Sequence, residues 1–470
     1  MHGLVQLATR FGLFNKKSEY KTLALKLVAA RLDQARHDET TWRLLVPHAE
    51  VIETYRFQDK DSNLLLASLQ HNIASHNLRA GHYDSAAKSC QESYSTQVRF
   101  RGESNLDTLK TAALLGVIRK HQGQYEEANA LQQRVLSKKE EALGSTHLDT
   151  IDTAMNLSEV LERQGEFAAS QELAEKALKV RKDRLGNNDM KTLQTSMHLA
   201  LLFRRQARYK DAEDLGREVL QGYQRVLPRP HEITLKSAYV LAGVLRENGK
   251  YGEAVAISEE VAEGRKRILG DEHPQTLLAI NNLALGYRLK GELRRAEELY
   301  RDVCLVHDKC QRQDHPEAIQ VRQNLAVVLR DQKKYKEAEK IGGDTLERRE
   351  RVLGPEHLST VNTALDLAMT LEHEKKYGEA SDLASRVLAV RTKRLGEAHT
   401  YTLDTLFTIA SINEHLGNVD LAKEQFQVVL DGRMKVLGKD HPATGETAHR
   451  LASLSITAPD DTEAVKEETR

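Results

Sequence analysis

The chain has 470 residues, of which 69 are lysine or arginine and 69 are aspartate or glutamate. A net charge of zero disfavours a general binder of nucleic acid or of a membrane surface, and no apolar run approaches the roughly 20 residues of a membrane span. The three cysteines are too few, and odd in number, for a disulfide framework, so we expect a cytoplasmic protein.

The first 60 residues lie outside the repeat that fills most of the chain. Apolar spacing predicts one helix from about Glu19 to Gln34 and a second from about Thr40 to Phe57. Pro47 lies within the second helix and is expected to kink it or to delay its start. Together these helices would cover the open face of the first repeat, as the end of a repeat array requires.

Residues 61–455 repeat with a period of 42. The clearest column is aromatic, and a small residue follows it three positions later in every copy. The aromatic column contains Tyr83, Tyr125, Phe167, Tyr209, Tyr251, Tyr335 and Tyr377, with Leu293 and Val419 in the other two places. A period of this size indicates a solenoid of stacked helical units.

One copy shows how each unit is built. Helical spacing predicts an A helix from about Pro274 to Lys290, a break at Gly291 and a B helix from about Leu293 to Lys309. Glycines that follow a leucine, such as Gly270, are predicted to be left-handed C-caps. The expected fold is therefore all-α, with nine helix-turn-helix repeats and helical caps.

The array is predicted to be uneven and to end near residue 455. The link at Pro228 has a proline in place of the capping glycine, and the link Gln311–Asp314 has lost both leucine and glycine. Lys333 and Lys375 stand where Gly291 stands, which would cost roughly 1–2 kcal/mol each in a left-handed turn. A lone A-type helix should close the array, and the acidic residues 456–470 are expected to be disordered.

The repeat column Leu283, Ala284, Gly291, Leu293, Ala296 and Tyr300 resembles the tetratricopeptide (TPR) pattern. The linking phrase from Leu269 to Thr276, Leu-Gly-Asp-Glu-His-Pro-Gln-Thr, resembles that of kinesin-light-chain repeats. This resemblance implies a right-handed superhelix (an α-solenoid) whose A helices line a protein-binding groove. It also leaves open a kinesin-light-chain-like cargo adaptor, although the first 60 residues are short for a coiled coil and lack heptads.

A second resemblance concerns the segments Met1–Arg10 and Leu45–Glu50. They are similar to the junction in fungal NOD-like receptors where an NB-ARC nucleotide-binding domain passes into TPR repeats. In that family the Met-His histidine contacts the nucleotide; His2 matches it, whereas Gly3 departs from the pattern. The resemblance implies the sensor arm of such a receptor. The sequence has no phosphate loop, so we expect this chain to bind no ATP or ADP and to need no cofactor.

A column of histidines begins the A helices, with Asn105 and Asp189 at the equivalent positions of two other repeats. Successive histidines lie a full repeat apart, about 10 Å, whereas metal ligands need about 2 Å to a shared ion. We therefore interpret them as helix caps and predict no metal site. The aromatic column is likewise interpreted as packing between helices, because a leucine and a valine share it.

The candidate partner-binding residues lie on the predicted groove face of the A helices. Arginine recurs at one groove position in repeats four to seven, and mixed polar residues recur at another. The candidates are Lys120, Arg163, Arg204, Arg205, Tyr239, Arg246, Asn281, Arg288, Gln323 and Arg330. The alternative is that these cations merely oppose the helix dipole, which is worth 0.3–1 kcal/mol each.

No catalytic motif is present: the chain lacks G-x-S-x-G, H-E-x-x-H, a glycine-rich phosphate loop and paired C-x-x-C. An enzyme is therefore not expected. The composition and repeats favour a protein-interaction scaffold that binds a protein or an extended acidic peptide, and no nucleic acid or membrane. The sequence leaves the oligomeric state open.

Overall fold

The computed structural model describes residues 17–34 and 38–456, and every regular element in those ranges is an α-helix. Two helices precede nine A–B helix pairs, called repeats one to nine, and one helix follows them. The helices are α1 (Lys17–Gln34), α2 (Glu39–Glu53), α3 (Lys60–Arg79), α4 (Tyr83–Arg101), α5 (Leu106–His121), α6 (Tyr125–Leu143), α7 (Leu148–Gln164), α8 (Phe167–Leu185), α9 (Met190–Arg205), α10 (Tyr209–Val226), α11 (Glu232–Glu247), α12 (Tyr251–Leu269), α13 (Pro274–Lys290), α14 (Leu293–Lys309), α15 (Pro316–Asp331), α16 (Tyr335–Leu353), α17 (Leu358–His373), α18 (Tyr377–Leu395), α19 (Thr400–His415), α20 (Val419–Val436) and α21 (Pro442–Ile456). The predicted all-α solenoid of helix pairs is confirmed.

The chain divides into two compact units between Arg229 and Pro230. The first unit contains α1 and α2 with repeats one to four, and the second contains repeats five to nine with α21. Within each unit, each B helix packs on its own A helix and on the A helix of the next repeat. Successive A helices also contact each other, for example α3 with α5 and α13 with α15, so the A helices form the inner layer of each unit.

The small-residue column is buried in every helix pair. Its nine members are at most 2% exposed: Ala86, Ala128, Ser170, Ala212, Ala254, Ala296, Ala338, Ala380 and Ala422. A larger side chain there would overpack the A–B contact at a cost of about 1–3 kcal/mol. Several tyrosines of the aromatic column instead stack on the histidine that ends the next A helix, as Tyr377 does on His415 at 5.3 Å between ring centroids.

The histidine column caps the A helices, as the sequence predicts. In each case the Nδ1 atom accepts a hydrogen bond from the backbone N–H two residues later; at His273 the donor is Gln275, at 3.2 Å. Asn105 and Asp189 accept equivalent bonds in repeats two and four. The described residues contain no cluster of three or more side chains that could hold a metal ion.

The turn between A and B helices is left-handed throughout the array. Gly291 has φ 90° and ψ 2°, and four residues other than glycine adopt positive φ at the same column or in a link: Ala207, Gln311, Lys333 and Lys375, with φ between 53° and 65°. Lys333 and Lys375 thus meet the condition under which the sequence analysis expected them to be costly. Each such residue costs roughly 1–2 kcal/mol relative to a glycine.

The predicted left-handed caps at the glycines that follow a leucine are wrong. Gly270 has φ 89° and ψ 167°, a region that is essentially open to glycine only. Its N–H donates to the Lys266 carbonyl at 2.9 Å, so the B helix ends there in an extended turn. The glycine is still required, but for a different backbone conformation from the one predicted.

Buried cations that were not predicted from the sequence connect successive repeats. Arg391, 4% exposed, donates through Nη1 to the Tyr401 carbonyl at 2.6 Å and to Thr405 Oγ1 at 2.7 Å. Its Nη2 donates to Asn362 Oδ1 at 2.7 Å. One side chain of the B helix thus holds its own A helix and the start of the next; we call this arrangement the arginine clamp.

The clamp recurs at 42-residue intervals. Arg181, Arg349 and Arg433 make the same three kinds of contact, with Asp152, Gln320 and Asp404 as the Nη2 acceptors. Lys139 and Arg265 keep only part of it, and the column otherwise holds Gln97, Tyr223 and His307. The signal was available in the sequence, because a threonine stands fourteen residues after each complete clamp arginine.

Helices α1 and α2 pack on the first repeat through a shared apolar cluster that includes Leu25, Leu32, Trp42, Ile52 and Ile73. Pro47 lies inside α2, which begins eight residues earlier at Glu39, so it does not delay the start of the helix. The segment Met1–Arg10 and residues 457–470 of the predicted tail lie outside the described residues. None of the described helices is long and apolar enough to cross a lipid bilayer.

Candidate functional site

The groove face consists of the A-helix positions aligned with Leu278, Asn281, Leu285, Arg288 and Leu289. Because the A helices form the inner layer of each unit, these positions lie next to one another on successive repeats. Together they form one surface along the unit. Leu278 and Leu289 are 38% and 39% exposed, so the face offers apolar contacts as well as polar ones.

In repeats five to seven the predicted polar residues are linked from one A helix to the next. Tyr239 Oη accepts from Asn282 Nδ2 at 2.8 Å, and Asn281 Oδ1 accepts from Asn324 Nδ2 at 2.9 Å. Gln323 is 7% exposed and donates to Asp366. These contacts form a ladder of polar groups along the second unit.

The three predicted arginines of the second unit join the same ladder. Arg246 Nη1 donates to Asn282 Oδ1 at 3.4 Å. The Arg288 Nε atom lies 2.6 Å from Asp331 Oδ2, and Arg330 Nη1 lies 3.6 Å from Asp366 Oδ1. The Arg288 side chain is 28% exposed and that of Arg330 only 10%, so Arg288 is the more accessible of these two.

The remaining candidates belong to the first unit. Lys120 pairs with Glu159 of the next A helix, and Arg205 Nε lies 3.8 Å from Glu162 Oε1. Arg163 is exposed, whereas Arg204 is half-buried near the end of α9. Arg204 therefore lies in a different unit from the other three arginines of the predicted stripe.

The acids that pair with Arg288 and Arg330 are not evident from the sequence. Asp331 and Asp366 occupy different columns of the repeat, at offsets of 43 and 36 residues from their arginines. A search for a repeated acid one period away cannot find such partners. In the second unit the groove face is consequently a mixed-charge surface in which Arg288 and Arg330 each lie beside an aspartate.

One comparison with known proteins places the chain in a family. The profile described as Tetratricopeptide repeat matches residues 65–141, 114–183, 149–225, 234–309 and 317–393, which together exceed half of the chain. The chain belongs to the tetratricopeptide repeat family. Searching curated proteins produces no match for this TPR chain.

Solved structures with similar TPR folds include three of different kinds. The apo form of RapI is 13% identical, with a TM-score of 0.60, over 79% of this chain and 98% of that one. A signal transduction ATPase with numerous domains (STAND) with a TPR sensor, from Pyrococcus horikoshii, is 12% identical, with a TM-score of 0.53, over 82% of this chain and 56% of that one. A putative kinesin light chain from Podosopora anserina is 25% identical, with a TM-score of 0.41, over 43% of this chain and 96% of that one.

Proposed function

We propose that the chain is a protein-interaction scaffold whose groove face in repeats five to seven binds an extended, acidic segment of a partner protein. The observation that supports this most strongly is the ladder itself. Phenol, amide and guanidinium groups recur there at the spacing of one repeat, and an extended chain presents side chains at regular intervals along such a surface.

Carboxylates of the partner would exchange with the protein's own acids. The pair between Arg288 and Asp331 is partly exposed, and pairs of this kind contribute only about 0–1 kcal/mol, so exchanging one carboxylate for another costs little. Arginine suits this exchange because its planar fork can hold two oxygens at once. Arg330 is more enclosed and would act by holding Asp366 in place.

The wider setting we propose is the ligand-sensing arm of a fungal NOD-like receptor, acting in the cytoplasm by binding rather than by catalysis. Two observations support it: the resemblance of Met1–Arg10 and Leu45–Glu50 to the receptor junction, and a fold shared with a STAND protein described as having a TPR sensor. The kinesin-light-chain-like phrase at Leu269–Thr276 supports the alternative, a cargo adaptor. A phosphate-loop motif encoded in frame upstream of Met1 would favour the receptor, and coiled-coil heptads there would favour the adaptor.

The groove proposal is tested by selection from a random peptide library on the immobilised full chain. We expect the selected peptides to be enriched in aspartate and glutamate and to bind more weakly as salt rises, because the Debye length is about 8 Å at physiological ionic strength. The double variant Arg246→Gln/Arg288→Gln should bind these peptides at least about tenfold more weakly.

The matched control is Arg267→Gln, which removes an arginine from an exposed pair on the B helix of repeat five. It should bind the peptides as the wild type does, and all three proteins should melt at similar temperatures. The proposal is wrong if the selected peptides are not acidic, or if the double variant binds them with undiminished affinity. Loss of binding together with early melting would show that the ladder is structural.

A further inference from the structure

The first repeat carries a polar cavity at the place where other repeats carry the arginine clamp. Gln97 occupies the clamp column and is 4% exposed. The groups that surround a clamp cation in other repeats have counterparts here. The Thr111 hydroxyl donates to the Asp107 carbonyl at 3.1 Å, as Thr405 does to Tyr401. Ser68 occupies the position that Asp152 has in repeat three. The surroundings of a clamp are therefore present without its cation.

This cavity has a volume of about 500 Å³ and lies wholly within the first unit. Trp42 of α2 closes one side, α3 contributes Ser68, His71 and Arg79, and the start of repeat two contributes Lys110. Clefts that hold small molecules typically measure 300–1,000 Å³. Ser68, His71 and Arg79 are groove-face positions, so the cavity belongs to that surface.

Two buried polar groups in the lining lack partners among the described residues. Gln97 Nε2 donates to Ser93 Oγ at 3.3 Å, whereas its Oε1 accepts no hydrogen bond. The indole N–H of Trp42, a residue 3% exposed, is also without an acceptor. A buried polar group left unpaired costs about 1–3 kcal/mol, so a bound molecule that supplies these partners would be favoured.

The charges of the lining are predominantly positive. Arg79 and Lys110 form no ion pair with any residue that the structure describes. Asp107 supplies the carboxylate of the lining and is already paired with Arg101. Burial lowers the pKa of His71, so its ring is neutral at pH 7 and adds no charge.

The hydrogen-bond acceptors that remain around Gln97 would, by themselves, also suit the guanidinium group of a ligand. The two unpaired cations decide against that choice, because a third positive charge would be repelled by them, whereas an anion would be attracted to both.

We propose that this cavity binds a small organic anion, with its carboxylate or phosphate group between Arg79 and Lys110 and a hydrogen-bond donor directed to Gln97 Oε1. Such a site goes beyond the peptide-binding face of repeats five to seven, because it lies in the other unit and takes a different kind of ligand.

Isothermal titration calorimetry of the full chain tests this proposal with four probes at millimolar concentration. Glucose 6-phosphate and L-glutamate represent the phosphate and carboxylate sources, and glucose and methylguanidinium are the neutral and cationic comparisons. We expect saturable binding of glucose 6-phosphate or L-glutamate and none of glucose. If neither anion binds, or if methylguanidinium binds more tightly than both, the proposal is overturned.

Variants then locate the binding. Arg79→Ala/Lys110→Ala should weaken the anion at least about tenfold, and Lys179→Ala/Arg184→Ala, which removes the same charge from exposed positions of the first unit, should not. Gln97→Arg should rebuild the clamp, raise the melting temperature and also weaken binding by filling the cavity. Equal affinity in the Arg79→Ala/Lys110→Ala variant and the wild type would place the anion elsewhere and overturn the assignment.

Discussion

Two junctions of the second unit occupy the same position in the repeat but are held together differently. Between repeats eight and nine, Arg391 makes three hydrogen bonds to groups on two A helices. Between repeats six and seven the same position holds His307, which is 3% exposed and whose two ring nitrogens have no partner among the described residues.

The residues that contact the clamp cation at one junction are also replaced at the other. Where the first junction has Thr405 and Asn362, the second has Val321 and Leu278, and a cavity of about 60 Å³ remains beside His307. The link differs as well, since α14 ends two positions early in the register and Gln311 adopts φ 53°. At this junction the arginine is therefore lost together with its threonine and its side-chain acceptor, since either residue retained alone would be buried without that partner.

The largest effect is expected from breaking the complete clamp. Arg391→Met keeps much of the side-chain length but removes every donor, and it should lower the free energy of unfolding of the second unit by about 2–4 kcal/mol, because charge-assisted hydrogen bonds in a buried site are lost. His307→Met is the matched change at the other junction and should alter stability by no more than about 1 kcal/mol, since no hydrogen bond is lost. Urea unfolding of both variants measures the difference, and equal losses would contradict the clamp.

A smaller effect should appear in the pH dependence of stability. Burial lowers the pKa of His307, so below the unfolded value of about 6.5 the unfolded chain binds a proton that the folded chain resists. The stability of the second unit should therefore be complete above that pH and fall as the pH falls towards the lowered pKa of the folded state.

The control for this pH effect is His307→Met, which should have a shallower loss of stability between pH 7 and 5 in thermal melts. The groups that act on His307 besides burial are Glu317, His315, Arg312 and Arg322. Because they remain in the variant, a slope identical to that of the wild type would assign the acid sensitivity to other groups.

The smallest expected effect is local opening at the irregular links. Amide hydrogens in Gln311–Asp314 and in the link around Arg229 and His231 should exchange faster than those around Gly270, because poorly held interfaces of a repeat array open more readily. Hydrogen exchange followed by mass spectrometry resolves these peptides. Uniform protection of all the links would show that sequence irregularity does not weaken them.

Most of the fold could be predicted from the sequence because the repeat supplies nine aligned copies of one pattern. The helix pair Pro274–Lys290 and Leu293–Lys309 has the predicted bounds, and the histidine caps follow from residue type and position. The conformation of Gly270 could not be read in the same way, since a glycine after a helix is compatible with several positive-φ turns.

The contacts of the candidate groove were much less predictable. The sequence identifies Arg246, Arg288 and Arg330 as a column, but the carboxylates beside Arg288 and Arg330 lie at unequal offsets and depend on side-chain direction between helices. The clamp was predictable in principle from the recurrence of Arg391 with Thr405, yet an arginine on an apolar stripe looks like an isolated exception until its burial is known.

The length of chain that one clamp spans limits the insertions and deletions that such an array can accept. The group around Arg391 extends from Asn362 to Thr405, a span slightly longer than one 42-residue repeat. Each complete clamp therefore depends on atoms supplied by the next A-type helix in the same register. Duplication or deletion of a whole repeat preserves these intervals. An insertion of another length between Asn362 and Thr405 would instead separate Arg391 from at least one of its partners, so rearrangements that preserve the period are the ones the clamp tolerates.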